Sequence, residues 1–167
     1  MICDILGFLA FLAVCTATAA TGARFRPGPW YEGLAKPFWT PPNWIFAPVW
    51  TVLYVMIAVA GFLVWTQGET AAVALPLIVY GLQLVLNALW SYLFFGIRRP
   101  DLAFADILVL WLAVLATVLL FFPVAPIAGW LLIPYLLWVS FAIALNYSVW
   151  QLNRNRSDTP AGADPRS

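Results

Sequence analysis

The sequence predicts an all-α integral membrane protein: a bundle of five transmembrane helices with a long, ordered Pro/Trp-rich loop between the first and second spans. Three observations lead there. Of 167 residues, 64% are hydrophobic, 17% aromatic and 9% charged. A soluble domain carries about 25% charged residues, so polar side chains are too few here to cover a water-facing surface, and apolar ones too many for a disordered chain. Continuous apolar runs of about 20 residues, the length of a bilayer-spanning helix, occur five times; barrel strands would instead alternate apolar and polar residues over about ten. Finally, all eight basic residues fall on one side of the five-span topology, a strong positive-inside signal.

The spans fall at about 2–23, 44–66, 71–95, 101–122 and 128–151, in one domain covering 1–153. In the first, Ala17-Thr18-Ala19 has the look of a signal-peptide cleavage site. The segment nevertheless contains no Lys or Arg before Arg24, and Asp4 stands where a positive n-region belongs; the expectation is a mature helix. Cys3 and Cys15 would lie about 18 Å apart on that helix, too far for a disulfide, and are expected as small hydrophobes. The connection from Arg24 to Asn43 holds Pro27, Pro29, Pro37, Pro41 and Pro42 with Phe25, Trp30, Tyr31, Phe38 and Trp39. Prolines stiffen it and the rings need something to pack on, which predicts an ordered lid over the basic-side mouth of the bundle. The other connections, 67–70, 96–100 and 123–127, are short. Asp101 is expected to cap the fourth span. The tail 154–167 is polar and expected to be flexible.

Arg24, Arg26, Lys36, Arg98, Arg99, Arg154, Arg156 and Arg166 share the side of the lid and the C-terminus; Asp4 and Glu69 lie near the other. The rule predicts a cytoplasmic C-terminus and an N-terminus on the opposite side. A net charge of +1 gives no electrostatic case for nucleic acid. With no His in the chain, Ser-His-Asp and Cys-His catalysis, His-ligated haem and nearly all catalytic zinc sites are excluded. No chain of carboxylates crosses the spans, which disfavours a pump or ion channel. Five spans without an internal repeat weaken a repeat-built transporter.

Depth separates the tryptophans. Trp44, Trp65, Trp130 and Trp150 lie at span ends, where interfacial anchoring explains them. Trp50, Trp90, Trp111 and Trp138 lie deeper, where an indole N–H needs a partner, and are expected to face the interior. Gln83, Asn87 and Trp90 share one face of the third span, Trp138, Ala142 and Asn146 one face of the fifth, and Trp50 and Tyr54 one face of the second. Such polar groups serve either as interhelical glue, about 0.6–2 kcal/mol each, or as the polar edge of a pocket for a flat, mostly apolar ligand. Asp106, inside the fourth span, is expected either to be functional or to pair with Arg98 or Arg99.

The residues also carry a resemblance. Trp30-Tyr31, Leu34, Lys36-Pro37 and Trp39, then Pro41-Pro42, Trp44, Val49-Trp50 and Leu53-Tyr54 are similar to stretches of the tryptophan-rich sensory protein / translocator protein family. So are Gln83-Leu84, Asn87, Leu89-Trp90 and Phe94-Phe95-Gly96 in the third span, and Pro134-Tyr135-Leu136, Trp138 and Leu145-Asn146-Tyr147 in the fifth. The resemblance covers about residues 5–152, across the lid and four of five spans. It implies a five-helix bundle, a homodimer in contact with membrane lipid, binding protoporphyrin and other flat hydrophobic molecules, with porphyrin a ligand and no cofactor required. It places ligand contacts at Tyr31, Trp50, Tyr54, Asn87, Trp90, Trp138 and Ala142, and more weakly at Thr21. It leaves three activities open: a sensor of tetrapyrrole or stress state, a light-dependent porphyrin-degrading enzyme working through Trp50 and Trp138, and a porphyrin or lipid transporter. The sterol motif of animal members fails by one residue between Tyr147 and Arg154, and the absence of His favours metal-free porphyrin over haem.

Overall fold

The computed structural model describes residues 2–25, 28–68 and 70–154; the tail expected to be flexible lies, beyond Arg154, outside the described residues. All regular secondary structure among the described residues is helical. The helices are α1 (Ile2–Arg24), the short α2 (Pro29–Glu32), α3 (Asn43–Trp65), α4 (Thr70–Ser91) continued by a π-helical turn (Tyr92–Gly96), α5 (Pro100–Val124) and α6 (Pro126–Asn153). Five of them are long and apolar enough to cross a bilayer, and they coincide with the five expected spans to within a few residues. Helix is what this composition demands, because in hydrocarbon every backbone N–H and C=O must be satisfied within its own segment. The hydroxyls obey the same rule: those of Thr16, Thr18, Thr51, Thr117, Ser140 and Ser148 each donate to the carbonyl one turn back at 2.7–3.1 Å.

Two connections differ from expectation. The fourth and fifth spans, expected to be joined by 123–127, run on until only Ala125 separates them, since Pro123 is accommodated inside α5 and Pro126 begins α6, the position where a missing N–H costs nothing. Asp101 is not the N-cap residue of α5: Arg99 holds that position, without a side-chain cap bond, and Asp101 lies in the first turn, where its charge still faces the helix's positive end. Asp101 also accepts both Nε and Nη2 of Arg99 at 2.9 and 2.7 Å. That two-pronged pair also overturns the expected pairing of Asp106 with Arg99. Asp106 is 8% exposed, and its Oδ2 has no hydrogen-bond partner.

α5 packs along α4 and α6, α3 along α6 and α1, and α1 also along α4. The core between them is built from Leu53, Ile57, Val64, Tyr80, Leu84, Val114, Phe121, Leu132 and Tyr135. α1 approaches α3 closely near its start, where Gly7 lies under the Trp65 ring and Gly61 faces Phe11 and Tyr80 with no room for a Cβ. A second cluster, Tyr31, Phe94, Ala103, Leu145 and Val149, lies under the lid.

Candidate functional site

The lid is ordered. α2 begins at Pro29, whose fixed φ suits a first helical position, and it carries Tyr31 down onto the bundle, leaving that ring 3% exposed. Tyr31 meets Phe94 and Phe95 edge-on at 6.1 and 5.6 Å, and Trp30 meets Phe94 at 6.1 Å. Both phenylalanines belong to the π-helical turn. Lys36 sits over the outer face of Tyr31, Nζ 4.5 Å from the ring centre, and donates to the carbonyl of Glu32 at 3.1 Å. Burial pushes the Tyr31 phenol above its usual range, keeping it neutral. From the end of α6, the Asn153 amide accepts the Ala35 N–H and donates to the Ala35 carbonyl, both at 2.9 Å. Trp39 closes against Phe141 at 5.6 Å.

Beneath the lid lies a cavity of about 690 Å³ walled by α1, α3, α4 and α6. Tyr31, Trp50, Tyr54, Asn87, Trp90, Trp138 and Ala142 all line it. Trp50 stacks on Tyr54 at 5.4 Å and meets Tyr135 edge-on at 6.2 Å. Trp90 stacks on Phe94 at 5.3 Å, and Trp138 packs between Phe46 and Phe141 at 5.9 and 5.5 Å. Thr21 is not among the lining residues; its hydroxyl donates to the Thr18 carbonyl at 2.6 Å. Trp111 lies away from the cavity, half-buried on the seam of α5 and α6, where its N–H donates to Ser140 Oγ at 2.8 Å.

The polar edge is a relay that starts at the cavity and runs into the core. Tyr54 donates to Asn87 Oδ1 at 2.8 Å, Asn87 Nδ2 donates to the Tyr135 hydroxyl at 2.8 Å, and Tyr135 donates to Gln83 Oε1 at 3.0 Å. Nearby, Trp90 Nε1 donates to Asn146 Oδ1 at 3.0 Å, while Asn146 Nδ2 holds the Pro100 carbonyl at 2.8 Å. Trp90 is thereby fixed to α6 and to the start of α5. The arrangement offers apolar planes on several sides and neutral hydrogen-bonding groups on one. No group of His, Cys, Asp and Glu suited to a metal ion occurs among the described residues.

Asn146 lines the cavity, on the face where its spacing of four from Ala142 placed it, though the resemblance did not mark it as a ligand contact. Sequence reasoning missed two parts of the site. Tyr135, fully buried, is the hub of the relay. The α1 wall, with Leu12, Cys15, Thr16, Ala19, Gly22 and Ala23, carried no signal. Cys15 is packed as expected, 1% exposed, with Sγ 3.2 Å from the Tyr80 hydroxyl; both cysteines are free.

Comparison with known proteins decides the lineage. The TspO/MBR family model matches residues 8–151. The chain belongs to the TspO/MBR family. Among its TspO/MBR relatives, the tryptophan-rich sensory protein of Cereibacter sphaeroides is 44% identical over 154 residues, 92% of this chain and 96% of that protein. The CrtK protein of Rhodobacter capsulatus is 40% identical over 87% of this chain and 92% of its own length. The human translocator protein is 42% identical over 79% of this chain and 81% of its own. The TspO/MBR match reaches into all five long helices and takes in the lid and the cavity-lining stretches of α1, α3, α4 and α6, so this is a multi-pass membrane protein of that family.

Proposed function

We propose that this protein is a membrane receptor that binds porphyrins, protoporphyrin in particular, and other flat hydrophobic molecules in the cavity beneath its lid, and that ligand occupancy regulates tetrapyrrole or stress responses. The cavity carries this reading. Its volume of about 690 Å³ falls in the range of about 300–1,000 Å³ that holds small molecules. Trp50, Trp90 and Trp138 supply planar walls, each ring contact worth about 0.5–1.5 kcal/mol beyond area burial. Tyr54 and Asn87 supply a neutral edge that selects a ligand with a few polar atoms. A sensory role follows the printed name of the Cereibacter sphaeroides relative. The eight-to-none split of basic residues supports a lid and C-terminus facing the cytoplasm.

The test is a titration of detergent-purified protein with protoporphyrin, following tryptophan fluorescence. Saturable quenching in the micromolar range is expected, weakened about tenfold, or 1.4 kcal/mol, by Trp138→Phe and by Asn87→Ala. Absence of saturable quenching overturns the reading. A second reading, light-driven oxidative breakdown of the bound ring by dioxygen, is favoured by the stack of oxidisable rings running from the cavity wall at Trp50 and Tyr54 to buried Tyr135. Under light and air it requires porphyrin absorbance to decay more slowly in the Trp50→Phe/Trp138→Phe double variant; equal decay removes it.

A further inference from the structure

We infer that ligands reach the cavity sideways, through a cleft between α1 and α3 in the basic-side half of the membrane, and that the protein therefore draws on flat amphiphiles dissolved in that leaflet. The inference rests on the cavity being a ligand site, as proposed above.

The lid face is shut. Tyr31 is 3% exposed, the Asn153 amide grips both backbone groups of Ala35 at 2.9 Å, and Trp39 lies on Phe141. The seam of α1 with α4 is bridged at both ends of the cavity, by Phe11 on Tyr80 at 5.8 Å and Cys15 on Tyr80 at 3.2 Å at one and by Phe25 on Tyr92 at 5.5 Å at the other. The seam of α1 with α3 is not. Its close contacts gather at the end away from the lid, where Gly7 meets Trp65, Phe8 meets Phe62 at 5.5 Å and Phe11 meets Gly61. Toward the lid, residues of both helices line the cavity and are exposed at the same time: Thr16 and Ala23 on α1, Ala47, Thr51 and Val55 on α3. Val55 is 48% exposed. Side chains that face both the cavity and the outside, at membrane depth, form the rim of an opening.

The chemistry of the rim fits lipid rather than water. Its side chains are small or β-branched, and its two hydroxyls are turned away. Thr16 Oγ1 donates to Leu12 O at 2.7 Å and Thr51 Oγ1 to Ala47 O at 2.9 Å, so each presents a methyl group to a passing ring. A planar molecule with its rings in hydrocarbon and a polar edge at the headgroups passes such a gap without crossing water. On arrival its polar atoms exchange headgroup contacts for Tyr54 and Asn87.

The experiment reconstitutes the full chain in lipid vesicles carrying protoporphyrin and follows tryptophan quenching by stopped flow. Rim variants Thr51→Trp and Ala23→Trp are compared with the lid-clamp variant Asn153→Ala. The association rate is expected to follow the mole fraction of protoporphyrin in the bilayer. Either rim substitution is expected to slow association and release at least tenfold, and Asn153→Ala to leave association within twofold. If both rim variants keep the unmodified rates while Asn153→Ala speeds association tenfold, the ligand passes the lid and the cleft is overturned as the route. Should one rim variant fail to fold, the other decides. Absence of saturable quenching in the unmodified protein overturns the porphyrin reading itself, a result distinct from an unaltered rate.

Discussion

Tyr135 shows how a residue with no seat at the cavity governs one that has. Its hydroxyl accepts from Asn87 and donates to Gln83, and Asn87 in turn accepts from Tyr54. Tyr135→Phe keeps the ring and its edge contact with Trp50 but strips a buried donor and a buried acceptor of their partner. Stranding buried polar groups costs about 1–3 kcal/mol, more than an ordinary surface change, because Asn87, Gln83 and Tyr135 are all at most 3% exposed. The expected outcome is a clear fall in thermal midpoint in detergent, together with weaker protoporphyrin quenching as Asn87 loses its fixed orientation; an unchanged midpoint would mean the relay contributes nothing to the fold. The same residues explain what could be read in advance. Trp50, Tyr54, Asn87, Trp90 and Trp138 stood out because a polar or N–H-bearing group at membrane depth needs a partner. Leu12, Ala19 and Gly22 did not, because lipid tails are as apolar as a protein core, and a small apolar residue looks alike whether it lines a cavity or faces lipid. For Asp106 the Arg99 alternative failed on distance along the chain: Asp101, two residues from Arg99, takes its Nε and Nη2 first.

At the scale of elements, the five spans were legible because hydropathy and length alone define them, and the lid because its prolines and rings cannot be both solvated and idle. The π-helical turn at Tyr92–Gly96 was not legible, since nothing in Tyr-Leu-Phe-Phe-Gly distinguishes it from α-helix. The close approach of α1 to α3 was not legible either: at Gly61 an added Cβ would stand 2.7 Å from Phe11 Cδ1 and 2.8 Å from Tyr80 Cζ. Phe11 can turn aside, but the Tyr80 hydroxyl is held by Cys15 and by the Ile57 carbonyl, each at 3.2 Å. Gly61→Ala is therefore expected to overpack this contact by about 1–3 kcal/mol, lowering the thermal midpoint and easing α1 outward. A midpoint equal to that of the unmodified protein would show that the ring of Phe11 absorbs the methyl without cost.

At the scale of the whole molecule, two surfaces await partners. The first is the membrane boundary. Cys3 is exposed at the end opposite the basic residues, so a membrane-impermeant maleimide is expected to label it from the outer face of cells and not from the cytoplasmic face of inverted vesicles; the reverse pattern would invert the orientation inferred from charge. The second is the outer face of α4. Leu75, Ile78, Leu82, Val85, Leu89 and Tyr92 are all at least 40% exposed, and they follow one another at alternating spacings of three and four. That 3.5-residue period is the seam of a left-handed helix pair. Gly81 beside it has open space where a Cβ would be, which lets a second helix approach. The lipid-facing side of α5 exposes Leu102, Leu108, Val109, Leu112 and Leu119 without that strict alternation. A homodimer is therefore expected to form through α4. In a Cys3→Ser background, Val85→Cys is expected to yield a disulfide-linked dimer on mild oxidation in native membranes, and Leu112→Cys on α5 to remain monomeric. Cross-linking at Leu112→Cys alone would move the interface to α5. Equal cross-linking at both would mark random collision in the bilayer, and the 3.5-residue seam would then be an ordinary lipid-facing stripe.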